Sequence, residues 1–368
     1  MTAPADRSTT TAAPDTPPRT GTGPEPSAAA DAEPDTAGER WRYVDHLPPD
    51  HSAELLRQDV LTGLAADPKW LPPRWFYDAT GSDLFERITE LPEYYPTRCE
   101  AEILGAHTAE IMARAGGRVL LELGSGSSSK TRLLLDRLQR PGRDQPDLPV
   151  DRPGYVSVDV SESALRSAAD SLAVDYPDLE ITAVRADFTA QLDALPADGP
   201  RVVAFLGSTI GNLDPTERGS FLTALRRVLR PGEHLLLGAD LVKSPETLVA
   251  AYDDAAGVTA AFNRNVLAVL NAELDGDADP ADFDHRAVWD PRRRWIEMRL
   301  RARRDLRLRF ADIGMTVPVR RGEEIRTEIS AKFDRDTVRA ELRSAGFVDA
   351  GWWTDQRGWF SVSLWRAA

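Results

Sequence analysis

The stretch RVLLELGSGSSSKTRLLLDRL, residues 118–138, decides the fold. Its first part, Val119 to Leu123, is apolar except for Glu122, the pattern of a parallel strand covered on both faces. Gly124 and Gly126 follow at once and make a tight turn whose backbone a ligand can approach. TRLLLDRL then continues as a helix. Strand, glycine turn and helix in that order form the first unit of an open, doubly wound α/β sheet. Position 129 is Ser, so the third glycine of a pyrophosphate-binding GxGxxG is missing, and so is the GxxxxGK spacing of a phosphate loop.

Four more β-rich runs repeat the plan: Tyr155 to Val160, Ile181 to Asp187, Val202 to Ser208 and His234 to Asp240. The helix between the last two is clearly punctuated, with Asp214 as cap, Pro215 in the first turn, and Pro231 and Gly232 past its end. The loop Pro141 to Gly154 reads as a surface insertion. Upstream, Leu55, Leu56, Val60, Leu61 and Leu64 recur at helical spacing from His51 onward. Leu71 to Leu104, LPPRWFYDATGSDLFERITELPEYYPTRCEAEIL, is too apolar for a linker and too punctuated for one long helix. We expect it to pack without regular structure as a pocket wall or lid. Residues 1–40 hold Pro, Ala, Thr, Gly and acid with almost nothing to bury, and are expected to form a disordered tail.

The chain ends with a helix, DRDTVRAELRSAGF, and two strand-like runs, VDAGWWT and GWFSVSLWRA, joined by DQRG. A hairpin that completes a parallel sheet is how many S-adenosylmethionine-dependent methyltransferases close, whereas dinucleotide dehydrogenases usually do not. The expected architecture is therefore α/β: a Rossmann-like class I methyltransferase sheet from residues 41–242 and 333–368, with an inserted α+β domain at 243–332. Within the insert, GVTAAFNRNVLAVLNAEL reads as a helix, and RRRWIEMRLRARRDLRLRF alternates with period two, as in an exposed antiparallel sheet.

Composition narrows the function. The 368 residues carry a formal net charge of −14, which argues against nucleic acid as main partner, because phosphate binding relies on Lys and Arg. One cysteine, Cys99, excludes an intramolecular disulfide framework, and with five histidines no cysteine-rich zinc site is expected. We expect no metal. No apolar run approaches the roughly 20 residues of a membrane span, and the N-terminus lacks an apolar signal core. The expectation is a cytoplasmic monomer acting on a small molecule.

Candidate residues gather at strand ends, where ligands bind in open α/β sheets. The E-x-G-x-G turn at Glu122 to Gly126 suits S-adenosylmethionine, although it also reads as a plain structural turn. Asp159 ends the second strand, where a carboxylate accepts both hydrogen bonds of a ribose diol. Asp187 and Phe188 close the third and offer a carboxylate and an aromatic face for adenine. Lys130 is either a partner for the cofactor carboxylate or a solvated helix lysine. Asn212, in the loop FLGSTIGNLDP, either meets an amino or carboxylate group of a small acceptor or tolerates a left-handed turn. Glu328 and Ser330 share one strand face, so their oxygens either bind one polar ring together or line a solvated surface. Arg292, Arg293, Arg294, Arg303 and Arg304 alternate without an aromatic platform and read as a solvated sheet face rather than an RNA site.

Several long blocks carry a resemblance: Leu71 to Leu104, LELGSGSSSKTRLLLD, FLGSTIGNL, LLLGADLVK, AYDDAAGVTAAFNRNVLAVLN and TEISAKF. They closely resemble the L-histidine Nα-methyltransferases of ergothioneine biosynthesis, from about Val60 to the C-terminus. The resemblance implies trimethylation of the α-amine of L-histidine to hercynine, with S-adenosylmethionine as donor. It implies cofactor contacts at Gly124, Lys130, Asp159, Asp187 and Phe188, and substrate contacts at Tyr94, Asn212, Tyr252, Glu328 and Ser330. Tyr77 is implied near the amine and Met298 against the ring, with Tyr77 and Asn212 closest to the chemistry. Rival readings are an N-methyltransferase for another amino acid such as tryptophan, a non-catalytic S-adenosylmethionine-binding protein and, more distantly, an RNA methyltransferase.

Overall fold

The chain enters its first sheet at β1 (Arg42–Asp45), a strand too short and too evenly half-exposed to stand out in the sequence. The computed structural model describes residues 40–126, 130–139, 152–196 and 199–368. The expected tail, Ser127 to Ser129, and most of the expected 141–154 insertion lie outside the described residues. After β1 come α1 (His51–Gly63), α2 (Ala79–Glu90) and α3 (Tyr95–Ala115). The stretch Leu71 to Leu104 is therefore largely helical, contrary to the expectation of irregular packing. Its punctuating residues start helices: Asp78 caps α2 by accepting from Gly81 N at 2.7 Å, and Pro96 sits in the first turn of α3.

The five expected apolar runs become β2 (Val119–Leu123), β3 (Gly154–Asp159), β4 (Glu180–Arg185), β5 (Arg201–Phe205) and β6 (His234–Asp240). Between them lie α4 (Thr131–Leu138), α5 (Glu162–Asp175) and α6 (Pro215–Val228). Asp214 caps α6 in a full capping box with Glu217. Neighbouring strand residues face opposite ways, so Leu120 packs in the core on one side of the sheet and Leu121 in the core on the other.

The insert supplies α7 (Pro245–Tyr252), α8 (Val258–Leu274), β7 (Phe283–Asp290), β8 (Trp295–Ala302), β9 (Leu306–Phe310), β10 (Met315–Val319) and β11 (Glu324–Ala331). β11, β8 and β7 form one antiparallel sheet in that order, and β9 pairs with β10. The expected exposure fails for β8, which is the central strand and mostly buried. Arg299 is accommodated there by carboxylates of Glu297 and Glu324, each 2.6 Å away. Arg303 and Arg304 are solvated and pair with Asp284 and Asp282.

The chain closes with α9 (Arg335–Ser344), β12 (Phe347–Thr354) and β13 (Phe360–Ala367). β13 runs antiparallel between β6 and β12, giving the eight-stranded order β1-β4-β3-β2-β5-β6-β13-β12. The fold is thus the expected α/β sheet, closed by a C-terminal antiparallel hairpin. We propose the partition into 41–242 plus 333–368 and an inserted 243–332 because each range supplies the strands of its own sheet. Leu241 bridges Phe333, so the insert leaves and re-enters side by side. Among the described residues, no helix is long and apolar enough to cross a membrane.

Candidate active site

The carboxyl ends of β2 to β5, the segment from α1 to α3, and the insert enclose a cavity of about 470 Å³. Tyr77, Tyr94, Gly124, Lys130, Asp159, Asp187, Phe188, Asn212, Tyr252, Met298, Glu328 and Ser330 all line it. Residues chosen from separate stretches of sequence thus meet in one space.

One half is built from the glycine turn. Gly124 and Gly126 have φ of 68° and 48°, in the left-handed region that suits glycine. A Cβ on Gly124 would stand 3.6 Å from the Phe188 ring. Ser125 Oγ is buried and has no partner among the described residues, so the turn holds a polar atom that a ligand can satisfy. Glu122 anchors the turn from below by accepting from Thr131 Oγ1 and Tyr155 OH, and burial pushes its carboxyl up to about 7. Asp159 accepts from Ser161 N at 3.1 Å and Gly126 N at 3.5 Å, which orients it at the end of β3. Burial raises its pKa, and those backbone donors oppose the rise. Asp187 accepts from Thr189 N and Oγ1 at 2.8 and 2.6 Å. Phe188 packs edge-on against Phe205, leaving a ring toward the cavity.

Lys130 is not a solvated helix lysine. Its ammonium pairs with the buried Glu100, whose carboxylate also accepts from Gly207 N at 2.8 Å. This ties α3 to the loops after β2 and β5. Glu100 was not singled out from the sequence, because a helix glutamate gives no sign of facing inward.

The other half is aromatic. Tyr77 meets Phe85 and Phe262 edge-on at 5.6 and 5.7 Å, and Tyr94 meets Tyr252 at 6.2 Å. Tyr77 keeps 43% of its surface exposed, and enclosure of its phenol within the cavity together with the charge of Glu328 raises its pKa, so the phenol stays protonated near neutral pH. Asn212 ends a short helical turn, Thr209–Asn212, after β5. The left-handed positions of this loop are Gly207 and Ser208, so left-handed strain does not explain Asn212. Pairing of β11 with β8 shifts register between Arg326 and Glu328, a bulge at Thr327, and Glu328 then lies opposite Met298. Glu328 and Ser330 follow the bulge on the cavity side. No described residue donates a hydrogen bond to Glu328, and burial pushes its carboxyl up to about 7 while Lys332 opposes the rise.

Sequence reasoning missed Lys332 and Asp240 beneath this end. Lys332 stands two residues beyond Ser330, so the same alternation pointed to it, but a lysine is expected in solvent. It also missed Thr259, whose buried Oγ1 lacks a partner among the described residues and which lines the cavity. Among the described residues there is no group of three or more His, Cys, Asp or Glu able to hold a metal ion.

The polar orphan at Ser125, the open glycine turn and the oriented Asp159 fit S-adenosylmethionine. Comparison with known proteins agrees. A family profile described as histidine-specific, SAM-dependent methyltransferase matches residues 56–367. Histidine N-alpha-methyltransferase of Mycolicibacterium smegmatis is 52% identical over 321 residues, covering 87% of this chain and 98% of that protein. The protein of the same name from Mycobacterium tuberculosis is 50% identical over 325 residues, covering 88% and 99%. Ergothioneine biosynthesis protein 1 of Neurospora crassa is 31% identical over 226 residues, 60% of this chain and 25% of its own. With a profile match spanning most of its length behind it, this chain belongs to the family of histidine-specific, S-adenosylmethionine-dependent methyltransferases.

Proposed function

We propose that the protein transfers three methyl groups from S-adenosylmethionine to the α-amine of L-histidine, forming hercynine in ergothioneine biosynthesis. The observation that carries the reading is Glu328: a carboxyl group at the aromatic end of the cavity, to which no described residue donates. Left unpaired on binding Phe or Leu, it is costly; an imidazole N–H satisfies it. The names of the M. smegmatis and M. tuberculosis relatives support α-amine methylation, and that of the N. crassa relative supports the pathway.

In this reading Gly124, Lys130, Asp159, Asp187 and Phe188 hold the donor, which supplies an electrophilic methyl group on a sulfonium. Glu328, Ser330 and Met298 hold the ring of histidine, and Tyr94, Tyr252 and Asn212 hold its backbone groups. Methyl transfer to nitrogen needs no nucleophilic side chain. The residues' task is to fix the amine at near-attack distance and to keep water out, and such positioning supplies several kcal/mol. The amine must lose a proton before each transfer, and a site near Tyr77 and Asn212 that shelters its neutral form helps it do so. The rings of Tyr77, Phe85 and Phe262 suit a nitrogen that ends as a permanent cation, since aromatic faces attract quaternary ammonium groups.

Mass spectrometry after incubation with histidine and S-adenosylmethionine tests this. Histidine carrying three added methyl groups is the expected product. No added methyl group, or preference for tryptophan in direct competition, overturns the reading.

A further inference from the structure

Lys332 lies fully buried just past the end of β11. An ammonium has three hydrogens, and three oxygens surround this one: Ser330 Oγ at 2.7 Å, Tyr252 OH at 2.9 Å and Asp240 Oδ2 at 2.9 Å. Ser330 Oγ and Tyr252 OH stand 2.8 Å apart, and both residues line the cavity. Asp240 also takes Lys243 Nζ at 2.6 Å and Tyr95 OH at 2.7 Å. Two ammoniums therefore share one carboxylate, and a net positive charge sits directly behind the two hydroxyls.

Hydrogen counting gives this arrangement a consequence. Each hydroxyl accepts one hydrogen from Lys332, and one of the two donates to the other. Together they keep one hydrogen and one lone pair for the cavity. Without the lysine they would keep one hydrogen and three lone pairs.

We propose that Lys332 is a positioning residue that selects the protonation state of the substrate ring. It makes the Ser330–Tyr252 end a hydrogen donor, opposite the accepting Glu328. A neutral imidazole, with one N–H and one bare nitrogen, matches both ends, whereas a doubly protonated ring finds a single lone pair at the Ser330–Tyr252 end, with a cation directly behind it. The inference rests on the histidine reading above. Glu328 is faced by Tyr77, Tyr94, Tyr252 and Lys332, and of these Lys332 is the cation that favours its ionised form.

The test uses the full chain with Lys332→Met and Lys243→Met. Removing Lys332 leaves Asp240 paired with Lys243, so no buried charge is stranded. Initial rates against histidine concentration across pH, with S-adenosylmethionine binding by calorimetry, are the readouts. Lys332→Met is expected to raise KM for histidine about tenfold or more with a smaller fall in kcat. Donor affinity should hold, and the acidic limb of kcat/KM should move to higher pH as Glu328 loses its cation. Lys243→Met keeps the hydrogen bonds of Lys332 to Ser330 and Tyr252 and should shift KM and that limb much less than Lys332→Met. An unchanged KM and pH profile in Lys332→Met overturns the inference alone. Should that variant fail to fold, nitrogen-15 NMR of ring-labelled histidine on the wild-type protein decides. At about pH 7, where Glu328 is still partly ionised, a bound ring with one bare nitrogen is expected, and a doubly protonated bound ring overturns the inference. A wild-type protein that leaves histidine unmethylated overturns the histidine reading and this inference with it.

Discussion

Glu328 illustrates how much a single side chain can decide. Its pKa near 7 means that the carboxylate, the form able to accept a ring N–H, fades as pH falls through about 7. Histidine turnover at limiting substrate should therefore decline on the acid side of neutrality. Glu328→Gln keeps the shape and removes the charge. We expect its kcat/KM for histidine to fall about 100-fold, in line with an unsatisfied polar contact in a desolvated pocket, and its acidic limb near pH 7 to be lost. Donor affinity, measured by calorimetry, should change little. An unaltered pH profile would refute the assignment. Glu328 and Ser330 were legible as a pair because strand alternation fixes which neighbours share a face. Lys332 was not, since its burial depends on Asp240, which arrives from β6 more than ninety residues earlier in the chain.

Among helices and strands, local rules explain both success and error. Apolar runs marked β2 to β6, and Asp214 with Pro215 marked α6, because these signals are local. The same kind of punctuation misled between Leu71 and Leu104, where Asp78 and Pro96 begin helices. β1 was illegible since only its pairing with β4 makes it a strand. One join between elements invites a direct test. A Cβ on Gly211 would stand 2.9 Å from Ala331 O and 3.2 Å from Ala331 N, so the turn carrying Asn212 is pressed against β11. Gly211→Ala must push these apart, shifting the turn that carries Asn212 relative to β11. Misplacement of about 1 Å costs on the order of 100-fold in rate; kcat for histidine should drop on that scale while the protein still binds its donor. Wild-type kcat would show that this contact does not set the geometry.

Taken together, the described residues contain buried carboxylates whose effect on stability can be given a sign. Glu122 rises from 4.5 to about 7 on burial. A group whose folded pKa is raised contributes stability that is present below its unfolded pKa, about 4.5, and is lost as pH rises through about 7. The loss is at most on the order of 3 kcal/mol for a shift of this size. Glu122→Gln should therefore flatten the fall in stability between about pH 4.5 and 7, as read by urea denaturation of the protein without ligands. A wild-type curve with no such fall would contradict the buried, raised carboxyl. In the insert, Arg299, Arg303 and Arg304 pair with carboxylates of Glu297, Glu324, Asp284 and Asp282.

The bridge between Leu241 and Phe333 has a consequence for how such a molecule diversifies. Val242 N donates to Phe333 O at 2.9 Å, and Phe333 N to Asp240 O at 2.8 Å, so the outgoing and returning chain are stitched together like the two edges of a buttonhole. A different length of polypeptide can be spliced in at that seam without stretching the parent sheet. In the proposed reading the ring contacts Met298, Glu328 and Ser330 travel with such a splice, while the loops after β2 to β5 stay in place.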